Sequence, residues 1–158
     1  MSAKELKVSA IENGTVIDRI PSHALFKVID ILGLDNCPNQ ITFGMNLDSR
    51  HLGKKAIIKV ADRFFTSDEI NRIALVAPTA KLNVIKDYEV AEKHIVEIPT
   101  EITNILRCIN PKCISNHEPM PTKFRTVSFD PLELQCRYCE KFIDQEHFEI
   151  RPTAEKYG

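Results

Sequence analysis

The sequence predicts an α+β protein in two parts. The first is a ferredoxin-like βαββαβ domain over residues 1–98, and the second is a small all-β domain over 99–158. Three observations predict this. Apolar residues recur with strand and helix periods in the order strand, helix, strand, strand, helix, strand, which is the split β-α-β pattern. Four of the five cysteines crowd into RCINPKC (107–113) and QCRYCEK (135–141). The first hundred residues lack any such cluster.

The elements follow in order. In KELKVSAI, Leu6, Val8 and Ala10 alternate with polar residues, so a strand is expected there, closed by the Asn13-Gly14 turn. Ser22 after Pro21 is placed to cap a helix carrying Leu25, Ile29 and Leu32, with Gly33 as its stop. Ile41, Phe43, Met45 and Leu47 alternate with polar or small residues and predict a strand, broken at Asp48-Ser49-Arg50. KKAIIKVAD reads as the next strand. Thr66 and Glu69 have capping-box spacing ahead of Ile70, Ile73, Ala74 and Ala77, and Pro78 ends that helix. Leu82, Val84, Tyr88 and Val90 predict one last strand. Both helices are expected on one face of a four-stranded antiparallel sheet. A hinge is expected at HIVEIPTE (94–101), where the texture changes.

In the second part, Phe124–Phe129 and Leu132–Gln135 read as short strands around Asp130-Pro131. Cys108 and Cys113 form one close pair, Cys136 and Cys139 another. Two such pairs on separate turns bring four sulfurs to one point, the donor set of a closed structural zinc site. A four-sulfur shell leaves no position for a catalytic water. A segment of about 50 residues seldom buries enough apolar surface to fold alone, and bound zinc supplies on the order of 10 kcal/mol. The second part is therefore expected to be a zinc-binding domain holding one structural ion per chain. His117 is read as a surface residue and Cys37, without a partner, as a loop or half-buried thiol. A redox Cys-x-x-Cys is the rival reading, disfavoured by the upstream pair.

Composition sets limits. The chain has 158 residues, 43% of them hydrophobic and 27% charged, with a formal net charge of -1. Residues 1–101 carry 13 basic and 14 acidic side chains, and residues 102–158 carry eight of each. Neither part has the basic excess of a nucleic-acid module. No apolar run is long enough to span a bilayer, and MSAKELKVSA has no apolar leader, so a cytoplasmic protein with no membrane partner is expected. No phosphate-cradling glycine motif, nucleophile elbow or metalloprotease signature is present, so no catalytic residue is assigned and a non-enzyme is expected. From the residues alone the chain is a two-part binding protein.

The chain also resembles the regulatory subunits of aspartate carbamoyltransferase. The resemblance rests on GTVIDRIP (14–21), ITFGMNL (41–47), LVAPTAKLNVIKDYEV (75–90), RCINPKCISNHEP (107–119) and LQCRYCEK (134–141), and runs from about Leu6 to Phe148. It implies a non-catalytic chain of pyrimidine biosynthesis whose first domain binds nucleoside triphosphate effectors, CTP and ATP and also UTP. It implies that the second binds zinc and docks on the catalytic chain. Carried over position by position, the effector site falls on Ala10, Ile11, Val16, Asp18, Arg19, Lys59, Asn83, Ile85, Tyr88, Val90 and Lys93. Asp18 would accept from ribose hydroxyls, and Lys93 would meet the phosphates. Arg19 stands where the family can have histidine, and Glu5 where it can have lysine; Lys55 matches a lysine of that region. The implied partners are the catalytic chain and a second regulatory chain, paired near Ile41 and Phe43, in a holoenzyme of two catalytic trimers and three regulatory dimers. Asn110, Lys112, Glu118, Tyr138, Glu140 and Lys141 would face the catalytic chain. A zinc-ribbon adaptor for nucleic acid is the alternative.

Overall fold

The structure is a computed structural model describing residues 10–50 and 52–151. Its first part runs β1 (Gly14–Pro21), α1 (Leu25–Ile31), β2 (Ile41–Ser49), β3 (Gly53–Ala61), α2 (Ser67–Ile73), β4 (Lys81–Lys86) and β5 (Glu89–Ile95). These strands form one sheet in the order β2-β3-β1-β4-β5, each pair antiparallel. Ile17, Ile58 and Leu82 point from the central strands into a core shared with Leu25, Val28, Ile70 and Ile73 of the helices. Both helices therefore cover one face of the sheet. Truncating a fully buried side chain such as Leu82 to alanine costs about 2–5 kcal/mol.

The predicted strand in KELKVSAI falls mostly on residues outside those described; Ala10 and Ile11, its last two, lie ahead of β1 and outside any strand. The strand GTVIDRIP had no clean alternation to betray it. A bulge between Ile17 and Ile20 places Arg19 at φ 59, so the two buried isoleucines stand three apart instead of two. The single strand expected over Leu82–Val90 is a hairpin. It turns through Asp87 and Tyr88, both at positive φ (53 and 66), without the glycine that usually announces such a turn. Among the described residues the sheet therefore has five strands rather than four. β2 also runs on through Asp48 and Ser49, to a turn closed by Gly53 at φ 75.

The helix signals were uneven. Thr66 and Glu69 make the capping box, with Glu69 N–H donating to Thr66 Oγ1 at 3.2 Å and Thr66 N–H to Glu69 Oε1 at 3.0 Å. Ser22 does not cap α1. It opens a short 3-10 turn, and its Oγ accepts from the Asn46 N–H at 3.0 Å, tying β2 to the helix start. The buried stripe of α1 is Leu25, Val28 and Ile31, while Ile29 is half-buried. Gly33 ends the helix at φ 66, as expected.

The second part contains β6 (Glu101–Thr103), β7 (Leu106–Arg107), β8 (Lys123–Phe129), β9 (Leu132–Cys136), β10 (Phe142–Asp144) and β11 (Glu149–Ile150). They form one sheet in the order β10-β9-β8-β6, and β11 pairs with β7. The predicted β8–β9 hairpin is present around a cis Asp130-Pro131 bond. Ile102, Leu106, Phe124 and Leu134 join the same continuous core as the helices. Gln145 Nε2 donates to the carbonyl of Leu75 at 3.3 Å, just beyond α2.

The expected hinge is an extended segment tied at both ends. Glu97 N–H donates to Asn71 Oδ1 at 3.2 Å, and Thr126 Oγ1 donates to the Pro99 carbonyl at 2.6 Å. Its residue Val96 is buried and Ile98 packs on the core.

Gly14 opens β1 at φ 144, and a Cβ there would sit 2.1 Å from the Val60 carbonyl oxygen. Neither the backbone angle nor the contact tolerates a side chain. Gly14→Ala is expected to destabilise the chain by about 2–3 kcal/mol in thermal or denaturant unfolding, while Gly53→Ala, with nothing within 4 Å of its Cβ, costs less.

Candidate metal centre and the open sheet face

Four local structures deliver the four cysteines. Cys108 directly follows β7, and Cys113 precedes a 3-10 turn over Ile114–Asn116. Cys136 is the last residue of β9, and Cys139 lies in the turn toward β10. The turns close on backbone bonds: Cys113 N–H donates to the Asn110 carbonyl at 3.0 Å, and Glu140 N–H to that of Cys136 at 3.0 Å. Glu140 takes φ 64 to bring the chain back.

The sulfurs converge as expected. All four Sγ atoms lie within 4.8 Å of one another. Cys108 and Cys139 are 3.6 Å apart at sulfur, Cys113 and Cys136 3.8 Å. Thiolates bound tetrahedrally at about 2.3 Å stand about 3.8 Å apart, so the two close pairs already have the spacing of zinc ligands and the wider ones need to close by no more than about 1 Å. No two are bonded as a disulfide. Cys108, Cys113 and Cys136 are buried and Cys139 is half-buried, so the shell is closed. Such a site holds loops in place and performs no turnover.

Polar groups around the sulfurs complete the centre. The backbone N–H of Asn110 points at Cys108, those of Tyr138 and Cys139 at Cys136, and that of Lys141 at Cys139. Burial pushes the Cys108 thiol well above the usual range and raises that of Cys136, against those N–H donors. Cys139 is also raised by burial, but the Lys141 N–H and the Asn110 amide outweigh it and bring it to about 7. Ser115, itself buried, lies with Oγ 3.1 Å from the Cys113 sulfur. Asn116 Nδ2 donates to the carbonyls of Cys108 and Asn110 at 2.9 and 2.8 Å, pinning the first loop. Ser115 and Asn116 were not singled out from the sequence; adjacency to Cys113 was their only signal.

His117 is exposed, its Nε2 2.7 Å from the Pro111 carbonyl, and stands outside the metal set. Cys37 has no cysteine partner and contacts Asn39 Oδ1 at 3.2 Å. Lys112, Glu118, Glu140 and Lys141 are exposed around the centre. Tyr138 is half-buried and donates its hydroxyl to the Pro121 carbonyl at 2.9 Å.

The other residues of interest gather on the sheet face that carries no helix. Register places Lys59, Val16, Asn83 and Lys93 side by side on β3, β1, β4 and β5. Gly14 stands opposite Ile85, and Ile85 opposite Val90. Ile85 is buried yet stands outside the continuous core, as a residue on this face should. Asp18 faces Lys81 across the β1–β4 ladder and ion-pairs with Lys55 at 2.9 Å. Tyr88 is exposed at the β4–β5 turn, and its N–H donates to the Glu12 carbonyl at 2.9 Å, which brings the segment after Ala10 and Ile11 to the same end. Arg19 is half-buried in the bulge beside Asp18.

The fold and site define a class: a binding protein that joins an open-faced, helix-backed sheet to a unit whose loops gather four cysteine sulfurs. Comparison with known proteins makes the assignment specific. Residues 6–97 match the family profile "Aspartate carbamoyltransferase regulatory chain, allosteric domain", and residues 100–149 match the corresponding "metal binding domain". The chain is 54% identical over 145 residues to an aspartate carbamoyltransferase regulatory chain of Bacteroides thetaiotaomicron, covering 92% of this chain and 95% of that one. It is 51% identical over 144 residues to one from Pyrococcus abyssi, covering 90% and 95%. The chain belongs to the aspartate carbamoyltransferase regulatory chain family. Membership agrees with the expected lack of catalytic residues and supports a regulatory chain over a zinc-ribbon nucleic-acid adaptor.

A metal must displace the protons that burial holds on Cys108 and Cys136, so metal affinity rises with pH and falls on acidification. Purified reduced chain is expected to carry stoichiometric zinc by elemental analysis and to release it as pH drops. Cys113→Ser is expected to lose the metal and to raise amide exchange across residues 102–150, leaving the β1–β5 sheet protected.

Proposed function

We propose that this chain is the effector-sensing, non-catalytic subunit of an aspartate carbamoyltransferase and that its ligands are CTP and ATP, with UTP as a third. The first domain, residues 1–98, is read as a ferredoxin-like sensor with β5 added at its edge. The strand order and one-sided helices support that reading. The second, residues 99–158, is read as the zinc domain that docks on the catalytic chain.

One observation carries the sensor reading: Lys59, Val16, Asn83 and Lys93 fall in one register row on the open sheet face. The row sets an apolar patch between cations and beside an amide. Ile85 and Val90 extend the apolar surface toward Tyr88, which suits a base; Asp18 suits ribose hydroxyls, and Lys93 and Arg19 suit phosphates. Ala10 and Ile11 would close the base end. Tyr88 holds φ 66 without being glycine, a conformation of the kind that clusters at ligand sites.

Regulation follows by differential binding. A triphosphate that fits two quaternary states unequally shifts their balance by that difference, typically about 1–3 kcal/mol. The continuous core and the Gln145–Leu75 hydrogen bond give the sensor a packed route to the metal unit. The exposed edge at Ile41 and Phe43, where Phe43 meets Phe26 at 6.3 Å, is the proposed pairing edge for a second regulatory chain. Regulatory dimers would then bridge two catalytic trimers, three dimers to a holoenzyme. Asn110, Lys112, Glu118, Glu140 and Lys141 are the proposed docking residues.

Calorimetry is expected to show saturable CTP and ATP binding to the purified chain. Lys93→Met should weaken it about tenfold, and Val16→Asp should abolish it while the metal content stays unchanged. Binding that survives Val16→Asp refutes this placement of the site.

A further inference from the structure

The proposed effector site contains an ion pair whose partners are both wanted by the ligand. Lys55 Nζ lies 2.9 Å from Asp18 Oδ1 and donates to Oδ2 at 3.3 Å, so the ammonium straddles the carboxylate. Asp18 Oδ1 also accepts the Arg19 N–H at 2.7 Å. Both side chains of the pair are about a quarter exposed, which screens the pair less than a surface one. The bulge at Arg19 fixes the carboxylate: the N–H that grips Oδ1 belongs to the residue at positive φ. Lys81, an exposed residue, stands opposite Asp18 in the β1–β4 register.

Resting on the effector reading above, we propose that the Asp18–Lys55 pair is a charge switch that makes the site select triphosphates over nucleosides. A ribose diol is best accepted with one hydroxyl on each carboxylate oxygen; each oxygen takes about two such bonds, and both places on Oδ1 are already filled by Lys55 and the Arg19 N–H. A ligand with ribose but no phosphate must break the pair and offers Lys55 nothing in return. A triphosphate offers Lys55 several anionic oxygens, so the ammonium moves from Asp18 to phosphate and the freed carboxylate takes the diol. The two contacts form together, and ribose recognition is coupled to phosphate recognition. Removing Lys55 therefore has opposite effects on the two ligand types, which a lysine acting only as a phosphate anchor would not produce.

The test is competition calorimetry on the full-length chain with CTP, 2′-deoxy-CTP and cytidine. In Lys55→Met, CTP affinity should fall about tenfold while cytidine affinity rises about three- to fivefold, the release of a partly screened pair. Asp18→Asn should narrow the preference for CTP over 2′-deoxy-CTP. Cytidine affinity that is unchanged or lower in Lys55→Met overturns the switch. A structure with CTP bound gives an independent reading: Lys55 Nζ should have left Asp18 for phosphate oxygen, and a pair still within hydrogen-bond distance overturns the switch even where cytidine binds too weakly to measure. Failure of CTP to bind the wild-type chain would refute the effector reading itself, a distinct result.

Discussion

Four sulfurs meeting at one point are the constraint on which the second half of this molecule depends. The loops that carry them contain little regular structure: a two-residue strand, a 3-10 turn, a strand end and a tight turn. Their apolar contribution is thin, since Ile109, Ile114 and Phe142 lie exposed around them. Without a metal, burial would leave Cys108 and Cys136 as neutral thiols, and loops would be held by backbone bonds and the Asn116 bridges. A bound ion converts the sulfurs to thiolates and fixes all four loops at once, which is why binding and folding are one event for such units.

The metal unit does not stand apart. Leu106 beside Cys108, with Phe124 and Leu134, belongs to the same buried cluster as Leu25 and Ile73. The helices thus share one core with the β1–β5 sheet and with the elements that carry the cysteines. A shift of the sheet against its helices has no soft layer in which to dissipate, because close-packed interiors transmit strain. The connecting segment adds to this, held by Asn71 on one side and Thr126 on the other.

Legibility in the sequence followed the locality of each signal. Thr66 and Glu69 cap their own helix, Gly33 ends its own, and the cysteines announce their chemistry by spacing, so these were read correctly. The strand in GTVIDRIP and the turn at Asp87-Tyr88 were missed for one reason. Each depends on positive φ at residues other than glycine, Arg19 in the first case and Asp87 and Tyr88 in the second. Such conformations are stabilised by surroundings, here the Asp18 carboxylate on the Arg19 N–H and the Glu12 carbonyl on the Tyr88 N–H. Ser22 failed as a cap because β2, distant in sequence, claims its hydroxyl. The residues of the open face came from family resemblance; only strand register shows that Val16, Lys59, Asn83 and Lys93 are neighbours.

Native mass spectrometry of the assembled enzyme before and after zinc removal tests the central claim most directly. The account predicts that stripping the metal releases the catalytic chains as separate trimers while the freed regulatory chain still binds CTP. An assembly that keeps its full mass with no metal bound would contradict it.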